Sequence, residues 1–168
     1  VDARGTSLTD AIVWLDARAQ SEARRLASAL DAQAFYETTG LPEITPTLPL
    51  AKLLFLRERM EGIYRRTAHL LLLEDYLRWR LTGRIATHAS LLTSTGYLDI
   101  RTGDYWAAAL SLAGVPESHL PPILPSGAPA GQLTAQAALR LGLPSGIPVY
   151  TGAMDQTAAL LAVTGGSA

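Results

Sequence analysis

Val149-Tyr150-Thr151-Gly152-Ala153-Met154-Asp155-Gln156 passes from a short apolar run into a glycine-bearing turn, and Thr157 to Val163 continues with small and aliphatic residues. The first part reads as a strand, the glycine as a tight turn, and the last part as a helix. A strand whose turn opens a helix is the unit of an α/β sheet, and open α/β sheets hold ligands beyond the carboxyl ends of their strands. Asp155 stands at that address. A carboxylate there can accept a hydroxyl proton while the hydroxyl oxygen attacks a phosphoryl group, the part of a general base. Its plainer use is to satisfy free N–H groups at the start of the helix. Gln156 can bond a ligand hydroxyl or cap the same helix.

Working back toward the N-terminus, Thr134 suits the N-cap of a helix over residues 135–141 and Gly142 its C-terminal stop. Five prolines between Pro116 and Pro129 exclude a helix and predict an ordered surface connection. Tyr97 to Ile100 reads as extended, Thr102-Gly103-Asp104 as a turn, and Tyr105 to Ala113 as a helix capped by Asp104. His69 to Leu73 reads as a strand, followed by a helix over Glu74 to Leu81 that Gly83 ends. Pro49 starts a helix through Leu56, with a short turn or helix over Glu61 to Thr67. Apolar residues at helical spacing from Asp16 to Tyr36 predict one long amphipathic helix, stopped by Gly40 and Pro42. Ala11-Ile12-Val13-Trp14 reads as a short buried strand behind a hairpin connection at Val1 to Leu8. Thr164-Gly165-Gly166 opens a further element. The pattern is α/β with few strands for so much helix, as expected of part of a larger domain.

The chain has 168 residues, 48% of them hydrophobic and 17% charged, with a formal net charge of −1. That composition buries a core and lacks the excess cation that nucleic acid or an anionic membrane surface requires. No apolar stretch approaches the roughly 18 residues of a spanning helix. The absence of cysteine excludes disulfides and thiolate chemistry, and a cytoplasmic location is the default expectation. His69, His88 and His119 lack metal-ligand spacing, so no metal site is expected of them. Thirteen arginines accompany a single lysine, Lys52, which a coding bias toward arginine explains most simply.

Five segments then fall into a familiar order. They are Ala11-Ile12-Val13-Trp14-Leu15-Asp16-Ala17-Arg18, Pro49-Leu50-Ala51-Lys52-Leu53-Leu54-Phe55-Leu56, Leu72-Leu73-Glu74-Asp75-Tyr76-Leu77 on to Leu81-Thr82-Gly83, Leu98-Asp99-Ile100 on to Trp106, and Gly152-Ala153-Met154-Asp155-Gln156. Together they resemble motifs of the FGGY carbohydrate kinases, the family of glycerol kinase, xylulokinase and gluconokinase. The resemblance implies an actin-like ATPase (ribonuclease H-like) fold, with long helices on a short mixed sheet in an incomplete first domain. Residues 1–168 would be the C-terminal portion of its sugar-binding N-terminal domain, with the first phosphate loop and the C-terminal domain outside the chain.

The implied activity is ATP-dependent phosphorylation of a sugar, sugar acid or polyol, with Asp155 as catalytic base and ATP and Mg²⁺ bound mainly by segments outside the chain. The alternative is a non-catalytic sugar sensor or scaffold of the same fold. Trp14 falls where glycerol kinases place a substrate-packing tryptophan, and an aromatic face suits the C–H surface of a polyol. Asp16 and Arg18 would pair to fix the strand end or line the cleft, and Gln156 would touch substrate. Lys52 coincides with the signature lysine, although a lysine on the helix surface is the plainer reading. Thr47 stands where glycerol kinases carry a substrate-contacting tyrosine, which argues for a larger substrate than glycerol. Phe55 replaces the signature tryptophan, a volume-tolerant change. The expected partner is a small sugar or polyol rather than nucleic acid or membrane, and the resemblance admits a homodimer of the full-length protein.

Overall fold

The computed structural model describes residues 1–165, so the element read as opening at Thr164-Gly165-Gly166 extends outside the described residues. In chain order the elements are α1 (Gln20–Ala29), α2 (Ala32–Thr39), α3 (Pro49–Arg59), α4 (Glu61–Tyr64), α5 (Leu73–Thr82), β1 (Thr87–His88), α6 (Ala89–Leu92), β2 (Leu98–Asp99), β3 (Asp104–Tyr105) and α7 (Ala107–Ala113). A 3₁₀ turn (Glu117–His119), β4 (Ile123–Leu124), β5 (Pro129–Gln132), α8 (Ala135–Leu141), β6 (Pro148–Tyr150) and α9 (Asp155–Thr164) complete it. Among the described residues β1 pairs with β4 in parallel, β2 with β3 antiparallel, and β5 with β6 antiparallel. The chain divides into two compact units, Val1–Leu71 with Leu92–Pro121, and Leu72–Leu91 with the chain from Pro122 onward.

The first unit is mostly helical. Ala19, Ala23 and Leu26 at α1, Leu50, Ala51, Leu53 and Leu54 of α3, and Ala109, Leu110 and Ala113 of α7 are buried where these helices pack. Alanine at so many of these positions lets helix axes approach closely, and Phe35, tilted against Trp106 at 6.1 Å, fills the space beside them. Pro49 occupies the first turn of α3, as its lost N–H permits.

The single helix expected over Asp16 to Tyr36 is two. Asp31 breaks it: in extended backbone, its carboxylate accepts the Ala34 N–H at 2.8 Å and starts α2 as an N-cap. Replacing Asp31 by Ala is expected to lower the unfolding free energy by about 1 kcal/mol, measured by denaturant titration.

Three further expectations fail for local reasons. No strand forms at Ala11 to Trp14: Val13, Trp14 and Leu15 are exposed, and the carbonyls of Val13 and Trp14 accept from the Lys52 ammonium instead of a neighbouring strand. His69 to Leu73 forms no strand: Leu73 opens α5, the Val1 ammonium donates to the His69 carbonyl, and the Leu70 N–H donates to the His119 carbonyl. Asp104 is not a helix cap, because it lies opposite Asp99 in the β2–β3 hairpin. Gly103, at φ 77°, lets that hairpin close, and α7 starts three residues after Asp104.

The second unit places α5 beside β5 and α8. Leu133, Ala137 and Ala138 are buried against Leu81 and Val149. Gly131, at φ 137°, has no room for a side chain, since a Cβ there would lie 2.9 Å from the Thr82 Cβ. The Thr134 hydroxyl accepts the Ala137 N–H at 3.2 Å, the cap expected of it. The proline-rich segment is more ordered than a surface connection: it supplies β4, and the Pro122 carbonyl accepts the Thr87 N–H at 3.0 Å. The strand read at Val149 to Thr151 is β6, shifted by one residue, and its partner is antiparallel β5.

Candidate functional site

Asp155 is the first residue of α9, two residues before the expected helix start, and its carboxylate is exposed. Its Oδ1 accepts the Gln156 N–H at 2.9 Å, and Gln156 is itself exposed. Between β6 and α9 the chain is held at two points. The buried Thr151 donates its hydroxyl to the Pro125 carbonyl at 2.7 Å and accepts the Ala128 N–H at 2.9 Å. Met154, the residue before the helix, donates its N–H to the Ser90 hydroxyl at 3.0 Å, and that hydroxyl reaches Thr157 Oγ1 at 3.3 Å. These bonds fix where α9 starts, and with it the position of Asp155.

Gly152 lies against a buried polar network of the same unit, for a Cβ on it would stand 3.5 Å from Glu74 Oε1. Glu74 pairs with Arg78, one turn further along α5, and with His88 Nε2 at 2.9 Å. The Leu91 N–H donates to His88 Nδ1 at 3.3 Å, which leaves Nε2 as the ring's donor to Glu74. Arg78 also donates to the Ala86 carbonyl at 2.7 Å and to Asp75 at 3.3 Å, while Asp75 accepts the Leu72 N–H at 3.2 Å. Burial pushes the Asp75 carboxyl up to about 6 against the pull of Arg78 and its hydrogen bonds.

Trp14, Asp16, Arg18 and Thr47 belong to the first unit, and Asp155 and Gln156 to the second. Trp14 is 77% exposed. Asp16 and Arg18 form a bidentate ion pair, with Nε at 2.9 and 2.8 Å and Nη2 at 2.6 Å. The hydrogen bonds from Arg18 hold the Asp16 carboxyl at about 2. The Arg18 guanidinium lies over the Phe55 ring at 5.9 Å. The Thr47 hydroxyl is 2.8 Å from that of Thr45. Lys52 is not on the helix surface: it is buried, and burial lowers its pKa.

The network of Glu74, Arg78 and His88, the anchor Ser90 and the burial of Lys52 all escaped sequence reading. Only the four-residue spacing of Glu74 and Arg78 could have signalled any of them. Among the described residues no three His, Asp or Glu side chains come together as a metal site, and no helix is long and apolar enough to cross a membrane.

The family model for the N-terminal domain of the FGGY family of carbohydrate kinases matches residues 1–162. The chain is 32% identical over 139 residues to the autoinducer-2 kinase of Escherichia coli K12, spanning 83% of this chain and 26% of that protein. It is 25% identical over 155 residues to the gluconokinase of Bacillus subtilis 168, spanning 92% of this chain and 30% of that protein. The structure matches the crystal structure of xylulose kinase from Rhodospirillum rubrum with a TM-score of 0.89 at 33% identity, over 96% of this chain and 33% of that one.

Proposed function

This chain belongs to the FGGY family of carbohydrate kinases and has the actin-like ATPase fold of that family, and on that premise we propose that the full-length protein phosphorylates a hydroxyl of a sugar, sugar acid or polyol with Asp155 as general base. The observation that carries this reading is the placement of Asp155, an exposed carboxylate at the start of α9 behind a turn pinned by Ser90 and Thr151. In the proposed step the acceptor hydroxyl gives its proton to Asp155 as its oxygen attacks the γ-phosphorus of ATP, and ADP leaves.

Mg²⁺ in phosphoryl transfer is held largely by the nucleotide's phosphates with one or two carboxylates, and among the described residues no three His, Asp or Glu side chains come together. The proposal follows the family in assigning ATP and Mg²⁺ mainly to other segments of the full-length protein, which acts in the cytoplasm where ATP is supplied. Trp14 offers an open aromatic face to the C–H surface of the sugar, and Gln156 and Thr47 are the proposed polar contacts. The ion pair of Asp16 with Arg18 makes both shapers of the Trp14 loop.

The test is sugar-dependent ADP release by the full-length protein with xylulose, ribulose, fuculose, gluconate, erythritol and glycerol. One sugar is expected to stand out, with glycerol low because Thr47 replaces a tyrosine of the glycerol kinases. The 168-residue chain alone is expected to give no sugar-dependent release, because phosphoryl transfer needs a site closed to water. A full-length protein that binds a sugar and turns none over would replace the kinase reading with that of a sugar sensor.

A further inference from the structure

The chain uses arginine at thirteen positions and lysine at one. The two cations differ in shape: an ammonium is a point with three donors, a guanidinium a flat fork with five. The lone lysine stands where that difference matters. Lys52 is 7% exposed on α3, and its Nζ donates to the carbonyls of two successive residues, Val13 at 2.8 Å and Trp14 at 3.1 Å. Two adjacent carbonyl oxygens converging on one atom suit a point donor, whereas a fork would push them apart.

Three residues further along α3, Phe55 makes a second attachment to the same loop, since Arg18 lies over its ring and clamps Asp16. Positions three apart share a helix face, so α3 grips residues 13–18 through both. The indole of Trp14 gains little from burial of its own, being 77% exposed. Its direction therefore depends on how the backbone beneath it is held.

We propose that Lys52 is a positioning residue for substrate binding, fixing through the Val13 and Trp14 carbonyls the height and direction at which Trp14 meets the sugar. This rests on the reading above in which Trp14 packs on substrate. Lys52 acts through backbone carbonyls and the proton of the reacting hydroxyl goes to Asp155, so the effect falls on KM rather than kcat.

The experiment uses the full-length protein with whichever of the six sugars gives the highest turnover, and compares Lys52→Met, Lys52→Arg and Trp14→Ala. The methionine keeps the stem and removes the donors, and the arginine keeps the charge and replaces the point by a fork. Both Lys52 variants and Trp14→Ala are expected to raise KM about tenfold, with kcat within about twofold. Hydrogen exchange across residues 13–18 is expected to quicken in both Lys52 variants, and adding Trp14→Ala to Lys52→Met is expected to raise KM no further.

If Trp14→Ala raises KM while Lys52→Met leaves both KM and exchange unchanged, the proposal falls and the reading of Trp14 survives. If Trp14→Ala leaves KM unchanged, that reading fails and takes the proposal with it. Should Lys52→Met fold poorly, Lys52→Arg carries the same comparison, and wild-type KM and exchange in it would overturn the argument from the point donor.

Discussion

Asp155→Asn in the full-length protein is expected to lower kcat by about 10²–10⁴-fold on its best sugar, with KM changed by less than about threefold. That loss corresponds to about 3–5 kcal/mol of transition-state stabilisation, the contribution of a placed general base. The substitution is a clean one here. An asparagine Oδ1 still accepts the Gln156 N–H that Asp155 accepts at 2.9 Å, so the start of α9 keeps its bond. Met154 stays tied to Ser90 and Thr151 to Pro125, and neither bond involves the Asp155 carboxyl. What the amide lacks is the capacity to take the proton of an attacking hydroxyl. Steady-state ADP release, with the thermal midpoint as a control on folding, decides the matter. A kcat within about threefold of the wild type at an unchanged midpoint would remove Asp155 from the base role.

The address of Asp155 was legible because a strand, a glycine turn and a helix are written in neighbouring residues. The same holds for the ends of helices. Gly40, Gly83 and Gly142 all adopt the left-handed conformation after α2, α5 and α8, and Pro49 and Thr134 start α3 and α8 as their chemistry dictates. Readings failed where two local rules competed or where a partner lay far away in sequence. Between Asp16 and Tyr36 amphipathic spacing argued for continuity, but the capping preference of Asp31 prevailed. Val13, Trp14 and Leu15 have the composition of a strand; strands require a pairing partner, and here a lysine 38 residues from Trp14 takes its carbonyl. Asp104 could cap a helix or close a hairpin, and Gly103 decided for the hairpin. The supports of the site share this remoteness: Ser90 meets Met154 across 64 residues, and His88 meets Glu74 across 14. No local periodicity reports such contacts.

Arg78→Met is expected to lower the unfolding free energy of the chain by about 3–5 kcal/mol near neutral pH, because it breaks a buried ionic group by removing one partner. Arg78 is 4% exposed and Asp75 1%, so neither can turn to water when the other is lost. Methionine fills most of the space of the arginine stem but leaves the Ala86 carbonyl without its 2.7 Å donor and Asp75 without its cation. Glu74 is less affected, being 37% exposed and still paired with His88. The loss should depend on pH in a direction opposite to that of an ordinary carboxylate. Burial already raises the folded Asp75 carboxyl from 3.8 to about 6. Where folding raises a carboxyl pKa, the folded state binds the extra proton, so its contribution is complete below the unfolded value and is lost as pH rises through the folded one. Without Arg78 the folded value climbs further, because the cation that favours the charged form is gone. The gap between variant and wild type should therefore narrow on going from about pH 7.5 to about pH 5.5, as Asp75 takes up its proton and ceases to be a buried charge. Denaturant unfolding of both chains at the two pH values measures this, and adding Asp75→Asn to Arg78→Met should abolish the narrowing. A gap below about 1 kcal/mol at both pH values would mean that Asp75 is solvated or neutral in the wild type, and the buried pair would cease to explain how α5 is held behind Gly152.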